Sequence, residues 1–537
     1  MGSGKDKEKD SGGASGILPN CMETKVLMGT ILVMGVMLIT GQFLPFGGFG
    51  FGSRSCDKLA ETFLQEGSSS VRAYSLDIRT TGLKKQALEP SNVTVISNVT
   101  AISNVTVNGG EAAKSEEKEE EKNVIEEEEE EKNVTKRVFR PYGNAAYLFI
   151  QMSAYRGGES TFAVVGLASK PIHVYGKPGF ECEWIPKNST LGPVKGKTYK
   201  MLPDWGYGRV YTVVVVNCSF EEPVGADGGG GQLILYANNG EDFEHPERIV
   251  ALTEKENAYN ASLFTAPPRY NYLYCGSSLY GNLSPQRMRE WMAYHVKFFG
   301  PRSHFVFHDA GGVHEEVRKV LEPWIAAGRV TLQDIREQER FDGYYHNQFL
   351  IVNDCLHRYK FLANWTFYFD VDEFMYIPKG KSIESVVKQF DNYTQFTIEQ
   401  YPMSNKLCLE RDGSRPLYRD WGIEKLVFKD VKKGIRRDRK YAIQSRNAYA
   451  TGVHMSENII GKSQHQTVGK IRYYHYHGTI SSRAEPCRQF VKPSMKDNIT
   501  MVDGIPYTYD GTLKDIAGTI KKFELQQIGP LLTHTRQ

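Results

Sequence analysis

At 537 residues the chain is longer than one ordinary domain, which predicts two or three folded units together with tails. A hydrophobic share of 40% and an aromatic share of 12% exclude a chain that is disordered throughout. The formal net charge of +3 conceals an acidic run at residues 111–132, with twelve Glu against four Lys, so the remaining chain is basic. That basic part suits partners with phosphates or carboxylates, and the alternative is that it serves only solubility.

We expect a membrane span at residues 26–46, behind a cytosolic tail of residues 1–25. The segment carries no charge and has the roughly 20 residues that cross about 30 Å of hydrocarbon. A cleaved signal peptide is the alternative, but a convincing cleavage site of small residues is missing. All eleven Asn-x-Ser/Thr sequons follow the span, which predicts a single-pass type II membrane protein with a luminal C-terminal part.

The cysteines divide in a way that fits an oxidising lumen. Cys21 precedes the span, and seven cysteines follow it. We expect Cys182 to pair with Cys218 inside one strand-rich domain. The last four are expected to pair among themselves in the next domain: Cys275, Cys355, Cys408 and Cys487. Cys56 is then the odd thiol, and its place beside the membrane favours a disulfide-linked homodimer.

Residues 47–136 are predicted to form a disordered, glycosylated, acidic stem. They are rich in Gly, Ser, Asn and Glu, repeat the pattern SNVTVI, and lack the apolar residues needed to bury a core. Such a self-repelling segment would hold the folded part away from the membrane, and an interaction tail is the alternative.

Residues 137–268 are predicted to form a small β-sandwich. Short apolar runs such as STFAVVGLA and YTVVVVNCSF are broken by Gly, Pro and Asn, as is typical of antiparallel strands. Exposed aromatic rings on such a domain can stack against sugars, and the candidates are Trp184, Trp205 and Tyr207. The alternative is that these rings belong to the core.

Residues 269–537 are predicted to form an α/β domain. From residue 270 the pattern alternates between strands such as HFVFHD and helices such as SPQRMREWMAYHVKFFG, which indicates a parallel sheet with helices on both faces. Ligands of such sheets bind outside the carboxyl ends of the strands. Asp309, at the end of HFVFHD, is therefore a candidate for contact with a nucleotide base or ribose.

Two carboxylates follow the apolar run WTFYF. Asp370 and Asp372 stand at its carboxyl end, next to Glu373. A divalent cation prefers oxygen ligands, and a cation held there can bridge the two phosphates of a nucleotide-sugar and neutralise the leaving nucleotide. We therefore expect Asp370 and Asp372 to bind a metal and a diphosphate, with Glu373 as a supporting or capping residue. A loop cap without a metal is the alternative interpretation.

Four segments together carry a resemblance over residues 270–489. They are CGSSLYGNLSPQRMREWMAYHVKFFG, YYHNQFLIVNDCLHRYK, FYFDVDEF and RYYHYHG. In this order they resemble the plant members of glycosyltransferase family 92, and within that family the β-1,4-galactan synthases. The resemblance implies a Rossmann-like α/β fold of the GT-A type and an inverting enzyme of the Golgi that uses UDP-galactose and Mn²⁺. It further implies elongation of the β-1,4-galactan side chains of the pectin rhamnogalacturonan I, and a carbohydrate-binding-like role for residues 137–268.

Enzymes of the GT-A type commonly add a histidine from the C-terminal part to the metal site. The candidates in this chain are His454 in ATGVHMS, and His475 and His477 in YYHYHG. Alternation along a strand would place the latter two on one face. A structural histidine is the alternative for each of them.

Inversion requires a carboxylate that takes the proton from the acceptor hydroxyl. The candidates are Glu399, Asp420 and Glu424, with a slight preference for Glu424 because a Trp-Gly pair precedes it. A surface charge is the alternative for each. Lys425 lies in a basic stretch, residues 424–440, that suits phosphate or an acidic polysaccharide unless it is only a solvated face.

Two alternatives to galactan synthesis stay open. UDP-arabinopyranose differs from UDP-galactose only in lacking the hydroxymethyl arm, so arabinopyranose transfer is expected as a secondary activity. A catalytically inactive luminal scaffold, binding carbohydrate through its β-domain, is the alternative from another class, and the intact Asp370/Asp372 pair argues against it. No nucleic-acid partner is expected.

Overall fold

The computed structural model describes residues 136–536, apart from residues 144–146, 171–177, 189, 205–209, 241, 342–343, 411–419, 432–438 and 495–497. The described residues belong to one compact unit. The predicted cytosolic tail, the membrane span at 26–46 and nearly all of the stem lie outside these ranges. Within them, no helix combines the length and the apolar character needed to cross a membrane.

The first eight strands form one antiparallel sheet. They are β1 (Arg140–Tyr142), β2 (Phe149–Arg156), β3 (Thr161–Ser169), β4 (Pro178–Pro186), β5 (Val194–Met201), β6 (Tyr211–Ser219), β7 (Gly231–Asn239) and β8 (Asp242–Glu254). Their hydrogen-bonded order is β1-β2-β3-β6-β5-β4-β7-β8. The sheet curls until β2 and β8 meet, where Gln151 Nε2 donates to the Ala251 carbonyl at 2.7 Å.

The core of this sheet explains one of the aromatic candidates. Trp184 on β4 is 1% exposed, and its ring stacks on Phe162 at 5.5 Å between centroids. It is therefore a core side chain, so the prediction of an exposed sugar-stacking ring at Trp184 is wrong. Trp205 and Tyr207 lie outside the described residues.

The remaining strands begin at residue 270. They are β9 (Tyr270–Leu279), β10 (Ser303–Asp309), β11 (Val330–Asp334), β12 (Ala363–Tyr368), β13 (Glu373–Tyr376), β14 (Gln395–Pro402), β15 (Leu407–Leu409), β16 (Phe428–Asp430), β17 (Lys440–Ile443), β18 (Ala448–Ala450), β19 (Asn458–Ile459), β20 (Ser463–Gln464), β21 (Arg472–His475), β22 (Gln489–Val491), β23 (Ile499–Val502) and β24 (Ile505–Tyr509). Nine of them form a mixed sheet of order β11-β10-β9-β12-β17-β14-β21-β13, with β20 beside β14.

Short and medium helices connect these strands. The α-helices are α1 (Ser262–Thr265), α2 (Pro285–Phe299), α3 (Glu315–Ala326), α4 (Gln348–Arg358), α5 (Ile383–Val387), α6 (Gly422–Lys425) and α7 (Thr512–Ile528). Short 3₁₀-helices occur at Arg336–Phe341, Lys388–Phe390, Ser445–Asn447 and Gly529–Leu532.

Helix α2 is encoded by local signals at both ends. The Ser284 hydroxyl caps its first turn, Pro285 takes the first helical position, and the helix ends at Gly300, whose φ is 78°. Trp291 lies on the buried face of α2, and its Nε1 donates to the Glu373 carbonyl at 2.9 Å. The helix thus fixes the first residue of β13.

The predicted Rossmann-like α/β GT-A domain, preceded by a separate β-sandwich, is wrong. The described chain is largely β-strand, and its first sheet is a single barrel-like layer rather than two stacked sheets. Alternation of strand and helix extends only from β9 to β12, and beyond Asp370 the sheet grows through the antiparallel pairs β12–β17, β17–β14 and β21–β13. The later strands are short and pair over long sequence distances, so no local periodicity predicted them.

One apolar core joins the two sheets across α4. Ile150 from the first sheet, Leu273 from β9 and Leu350 from α4 are all buried in it. At its margin Arg137 Nη2 donates to Asp354 Oδ1 on α4 at 2.6 Å. The shared core holds α4 in place, and α4 begins beside the candidate site described below. The predicted boundary between residues 137–268 and 269–537 stays a prediction.

The predicted division of the cysteines is confirmed. Cys182 pairs with Cys218, which ties β4 to β6. The later four pair among themselves, Cys275 with Cys355 and Cys408 with Cys487. The first of these two disulfides attaches α4 to β9, and the second attaches the segment after β21 to β15. Cys56 lies outside the described residues.

Candidate active site

Buried carboxylates collect where β12 ends. β10, β9 and β12 are parallel neighbours, so their carboxyl ends share one edge of the sheet. Directly after β12 the chain turns through Asp370 and Asp372, and the Glu373 N–H donates to the Asp370 carbonyl at 3.1 Å to close the turn. All three carboxylates are at least 95% buried. Such a concentration of negative charge requires compensating partners.

Asp370 receives a cation and an amide. Lys440 Nζ lies 2.9 Å from Asp370 Oδ2, and Gln348 Nε2 donates to Asp370 Oδ1 at 3.1 Å. Burial opposes ionisation of Asp370, whereas Lys440 lowers the pKa of this carboxyl. β17 supplies Lys440 and α4 supplies Gln348, so three separate elements meet at one side chain.

Lys440 and Glu373 complete this buried charge system. Burial acts to lower the pKa of Lys440, but Asp370 and Glu373 outweigh it and raise that pKa above its usual value. Burial raises the pKa of Glu373 well above its usual range, and the neighbouring charges of Asp370 and Asp372 add to this rise. Glu373 Oε2 also accepts a hydrogen bond from the Asp370 N–H at 2.7 Å, so Glu373 braces the turn.

Asp372 has one satisfied and one unsatisfied oxygen. Its Oδ2 accepts a hydrogen bond from the Gly478 N–H at 2.9 Å, and Gly478 has a φ of 70°, which favours glycine. Its Oδ1 is buried and has no hydrogen-bond partner among the residues that the structure describes. His475 Nε2 is 3.7 Å from this oxygen. A buried carboxylate oxygen without a hydrogen-bond donor costs free energy. This oxygen is therefore placed to act as a ligand for a cation.

His475 is arranged as a neutral imidazole. Burial lowers the pKa of His475 to about 4, and the opposing charge of Asp372 only partly compensates. The Gln400 amide lies 2.6 Å from His475 Nδ1 and fixes the ring, while Nε2 faces Asp372. His477 follows on an exposed turn, with its ring 5.3 Å from that of His475. A neutral imidazole nitrogen can bind a metal, whereas a protonated one cannot.

Two overlapping groups of side chains could therefore hold a divalent cation. In each group the ligand atoms lie within 4.8 Å of one another: Asp372 with His475 and His477, and Asp370 with Asp372 and Glu373. Carboxylate oxygens with one or two imidazoles suit a first-row divalent metal. Asp372 belongs to both groups, and its Oδ1 has no hydrogen-bond partner among the described residues, so the residues present fit such a metal.

Three contributors to this site could not be predicted from the sequence. Gln348, Lys440 and the Gly478 amide hold the carboxylates, yet none has a local pattern that marks it. Gln348 and Gly478 fall inside two segments that carried the family resemblance, which was the only available signal. Lys440 was noted only as the end of a basic stretch. Contacts formed across 70 or more residues are decided by the fold.

A left-handed segment precedes Gln348. Tyr345, His346 and Asn347 have φ values of 51°, 50° and 57°, a region that non-glycine residues rarely occupy. Tyr280, which follows β9, stacks on the His346 ring at 3.9 Å, and Asn347 Nδ2 donates to Gln338 Oε1 at 2.7 Å. Backbone strain of this kind is held at functional sites by surrounding contacts. The segment lies at the sheet edge that carries the carboxylates.

The structure brings together Asp370, Asp372, His475 and His477, but not the other candidates. Asp309 ends β10 at the same sheet edge, and its Oδ1 accepts from the N–H groups of Gly311 and Val313 at 2.9 and 3.0 Å. His454 belongs to neither group of potential metal ligands in the described part of the chain. The roles predicted for these residues stay predictions.

The candidate bases and the candidate phosphate lysine lie in other surroundings. Glu424 accepts from the Trp421 N–H at 2.7 Å and pairs with Lys521, while Lys425 Nζ lies 2.7 Å from Glu485. The Asp420 carbonyl accepts from Gln286, on α2. Glu399 lines a cavity on β14 and lies 3.7 Å from Arg439. Their catalytic and binding roles stay predictions.

Comparison with known proteins places the chain in a family. Residues 270–511 match the sequence model of glycosyltransferase family 92. The chain is 61% identical over 394 residues to galactan beta-1,4-galactosyltransferase GALS1 of Arabidopsis thaliana, covering 73% of this chain and 79% of that protein. Galactan beta-1,4-galactosyltransferase GALS3 of the same plant is 56% identical over 410 residues, or 75% and 81% of the two chains.

A more distant relative also has the name of a β-1,4-galactosyltransferase. Beta-1,4-galactosyltransferase galt-1 of Caenorhabditis elegans is 22% identical over 277 residues, which cover 50% of this chain and 60% of that protein. The family match includes both histidines and both aspartates of the candidate site. This chain therefore belongs to glycosyltransferase family 92, together with the plant galactan beta-1,4-galactosyltransferases.

Proposed function

We propose that the chain transfers galactose from UDP-galactose to the end of a β-1,4-galactan chain. Relatives that are 56–61% identical over most of the chain carry the name galactan beta-1,4-galactosyltransferase. The observation in the molecule that carries the proposal is the buried Oδ1 of Asp372, which lies beside His475 at the carboxyl edge of three parallel strands and has no hydrogen-bond partner among the described residues. A metal-dependent nucleotide-sugar transferase needs a site of this kind, with negatively charged ligands for the cation.

The proposed metal is Mn²⁺, held by Asp370, Asp372, His475 and His477. When bound, such a cation supplies positive charge to the diphosphate of the donor as the bond to the sugar breaks. The protein's own part is to keep the ligands in their metal-binding forms. Lys440 favours ionised Asp370, burial keeps His475 neutral, and the Gly478 amide orients Asp372.

The proposal includes inversion at the transferred sugar and a pectic acceptor. One carboxylate must take the proton from the acceptor hydroxyl, and Glu424, Asp420 and Glu399 are the candidates. The family resemblance supports the galactan side chains of rhamnogalacturonan I as the acceptor. Transfer of arabinopyranose is proposed as a secondary activity, because a pocket discriminates weakly against a sugar that merely lacks an arm.

We place the enzyme in the Golgi membrane as a single-pass type II protein with a luminal catalytic part. The uncharged segment 26–46 and the eleven sequons that follow it support this topology. The three disulfides among described residues fit an oxidising compartment. They leave Cys56 as the odd luminal thiol, which supports a disulfide-linked homodimer. Non-reducing electrophoresis of the full chain and of Cys56→Ser tests this link.

The deciding experiment measures transfer directly. The full chain is incubated with a β-1,4-galactan oligosaccharide and UDP-galactose, UDP-arabinopyranose or UDP-glucose, with Mn²⁺ or with EDTA, and product length is read. We expect elongation from UDP-galactose that EDTA abolishes, and weaker addition of arabinopyranose. Asp372→Ala should lower the rate by about 100-fold or more, because it removes a ligand shared by both groups.

Asp515→Ala is the matched control, since it removes an exposed aspartate on α7. Its rate should equal that of the unsubstituted chain. Galactan binding without transfer from any donor would overturn the proposal in favour of the inactive scaffold. If transfer persists in EDTA and in Asp372→Ala, the reaction does not require a metal, and that part of the proposal is wrong.

A further inference from the structure

The cavity that Glu399 lines is next to the candidate active site, on strands that both share. It has a volume of about 450 Å³ and is lined by residues of β13, β14, β16 and β21, together with the segments after β13 and before β21. Across these strands Arg472 is paired with Tyr376 and with Glu399, so their side chains share one face. His475 and Glu373 are paired three residues further along and point to the opposite face. Two of the candidate metal ligands, Glu373 and His475, thus lie on the face of these strands opposite to Arg472.

The lining of the cavity is strongly cationic. Its charged side chains are Lys379, Lys429, Lys470 and Arg472 against the single carboxylate of Glu399. Glu399 already has a cation, because Arg439 lies 3.7 Å away. In the described part of the chain no ion pair includes any of these four cations, although Tyr474, which accepts from Arg472, also donates to Asp510 Oδ2 at 3.2 Å. A concave surface with this excess of positive charge concentrates anions.

Arg472 is held rigidly by aromatic rings. Its guanidinium lies over the rings of Tyr376 at 4.9 Å and Tyr401 at 4.2 Å, and Lys429 Nζ lies over Tyr401 at 4.2 Å. Arg472 Nη2 donates to Tyr474 OH at 2.5 Å, whereas its Nε has no partner among the described residues. A stacked, preoriented guanidinium is suited to a planar carboxylate, which it can bind through two parallel hydrogen bonds.

Neutral galactan gives these cations no partner. A ring-shaped ligand that also carries a carboxylate matches both the aromatic side chains and the charge of the cavity, since sugar rings pack on tyrosine faces. We propose that this cavity binds a hexuronate unit of an acidic oligosaccharide, as a second saccharide site on the face opposite the candidate active site. It would retain an acceptor that carries acidic sugars while the neutral chain end is extended.

A nucleoside diphosphate is the competing anion, and geometry disfavours it. Glu373 and His475, one from each group that fits its metal, lie on the other face of the strands. The lining residues of the cavity include no pair of carboxylates that could hold a cation for a diphosphate. UDP and inorganic phosphate therefore serve as discriminating probes rather than as expected ligands.

Calorimetric titration of the full chain with an α-1,4-linked galacturonate trimer tests the proposal. We expect binding that weakens as salt rises, no binding of a galactose trimer, and no displacement by UDP or phosphate. Arg472→Gln should weaken binding by about tenfold or more, and Lys429→Gln by roughly three- to tenfold, since each removes a charge-assisted contact. Lys522→Gln, an exposed lysine on α7, is the matched control and should bind as the unsubstituted chain does.

Two further measurements separate this site from the active site. Lys429→Gln should extend neutral galactan at the unsubstituted rate, and Asp372→Ala should lose transfer but keep galacturonate binding. The proposal is overturned if the unsubstituted chain does not bind the galacturonate trimer, if Lys429→Gln binds it as tightly as Lys522→Gln does, or if UDP displaces it. Thermal unfolding of Arg472→Gln checks its fold, and Lys429→Gln keeps the test valid if Arg472→Gln does not fold.

Discussion

At the scale of single residues, the candidate site depends on one buried cation. Lys440 is 5% exposed and serves two carboxylates, Asp370 at 2.9 Å and Glu373 at 3.8 Å. Removing one partner of a buried ion pair leaves an uncompensated charge, which costs more than the pair itself contributes. Lys440 is therefore as important to the site as the carboxylates that a metal would bind.

Lys440→Gln should lower the free energy of unfolding by about 3–5 kcal/mol, because two carboxylates would stay buried without their cation. Urea unfolding of the metal-free chain measures this loss. Mn²⁺ should restore part of it if a divalent cation binds the same carboxylates. Lys522→Gln, which replaces an exposed lysine on α7, is the control and should unfold at the same urea concentration as the unsubstituted chain. A loss below about 1 kcal/mol in Lys440→Gln would show that water compensates the carboxylates.

Residues of the site differ in how far sequence could predict them. Asp370 and Asp372 were predictable because an apolar strand directly precedes them, and strand ends carry ligands in such sheets. Lys440 was not predictable, because a lysine in a basic stretch is usually a solvent-exposed surface residue. Only the pairing of β12 with β17 places it beside Asp370.

At the scale of elements, α4 connects the first sheet, β1 to β8, to the candidate active site. Its apolar residues join the shared core, and its first residue, Gln348, contacts Asp370. The left-handed residues before it set the direction in which α4 starts. The cost of that backbone conformation must be offset by contacts such as the Asn347–Gln338 hydrogen bond.

Asn347→Ala and Asn347→Gly form a matched pair that separates backbone from side chain. Both lose the hydrogen bond to Gln338, but glycine tolerates the left-handed backbone whereas alanine does not. We expect both to destabilise the chain, with Asn347→Ala worse than Asn347→Gly by about 1 kcal/mol. Urea unfolding gives the difference. Equal stability of the two variants would mean that the left-handed conformation is not retained.

Element prediction succeeded where signals were local and failed where they were not. The Ser284 cap, Pro285 and Gly300 marked α2, and a run of valines marked β6. β13 and β21 contain only four residues each and are held by pairing with each other. A strand this short has no periodicity of its own, so the expected α/β alternation was extended too far beyond Asp370.

At the scale of the whole molecule, buried histidines make stability depend on pH. Burial lowers the pKa of His295 and His357 to about 3 and that of His308 to about 4. As pH falls below about 6.5, the unfolded chain binds protons that the folded chain does not bind until near these lower values. The free energy of unfolding therefore decreases on acidification, by about 1.4 kcal/mol per pH unit for each such histidine.

His308→Leu tests this dependence, because neither ring nitrogen of His308 has a hydrogen-bond partner among the described residues. Between pH 6.5 and 4.5 the fall in unfolding free energy should become shallower by about 1.4 kcal/mol per pH unit. Urea unfolding at a series of pH values measures both slopes. His534→Leu replaces an exposed imidazole as the control. If His308→Leu keeps the slope of the unsubstituted chain, its imidazole is protonated in the folded state.

The sequence by itself determined the family, the division of the cysteines and the position of the carboxylate motif. Each of these depends on residue identity and local order: four segments in sequence, cysteines separated into two groups, and two aspartates after an apolar strand. Only the tertiary structure decided the sheet topology, the single-layer first sheet and the partners of Asp370 and Asp372. Those features depend on pairings between residues that are distant in the sequence, such as Lys440 with Asp370 and Gly478 with Asp372, which burial and hydrogen bonding select and local sequence does not record.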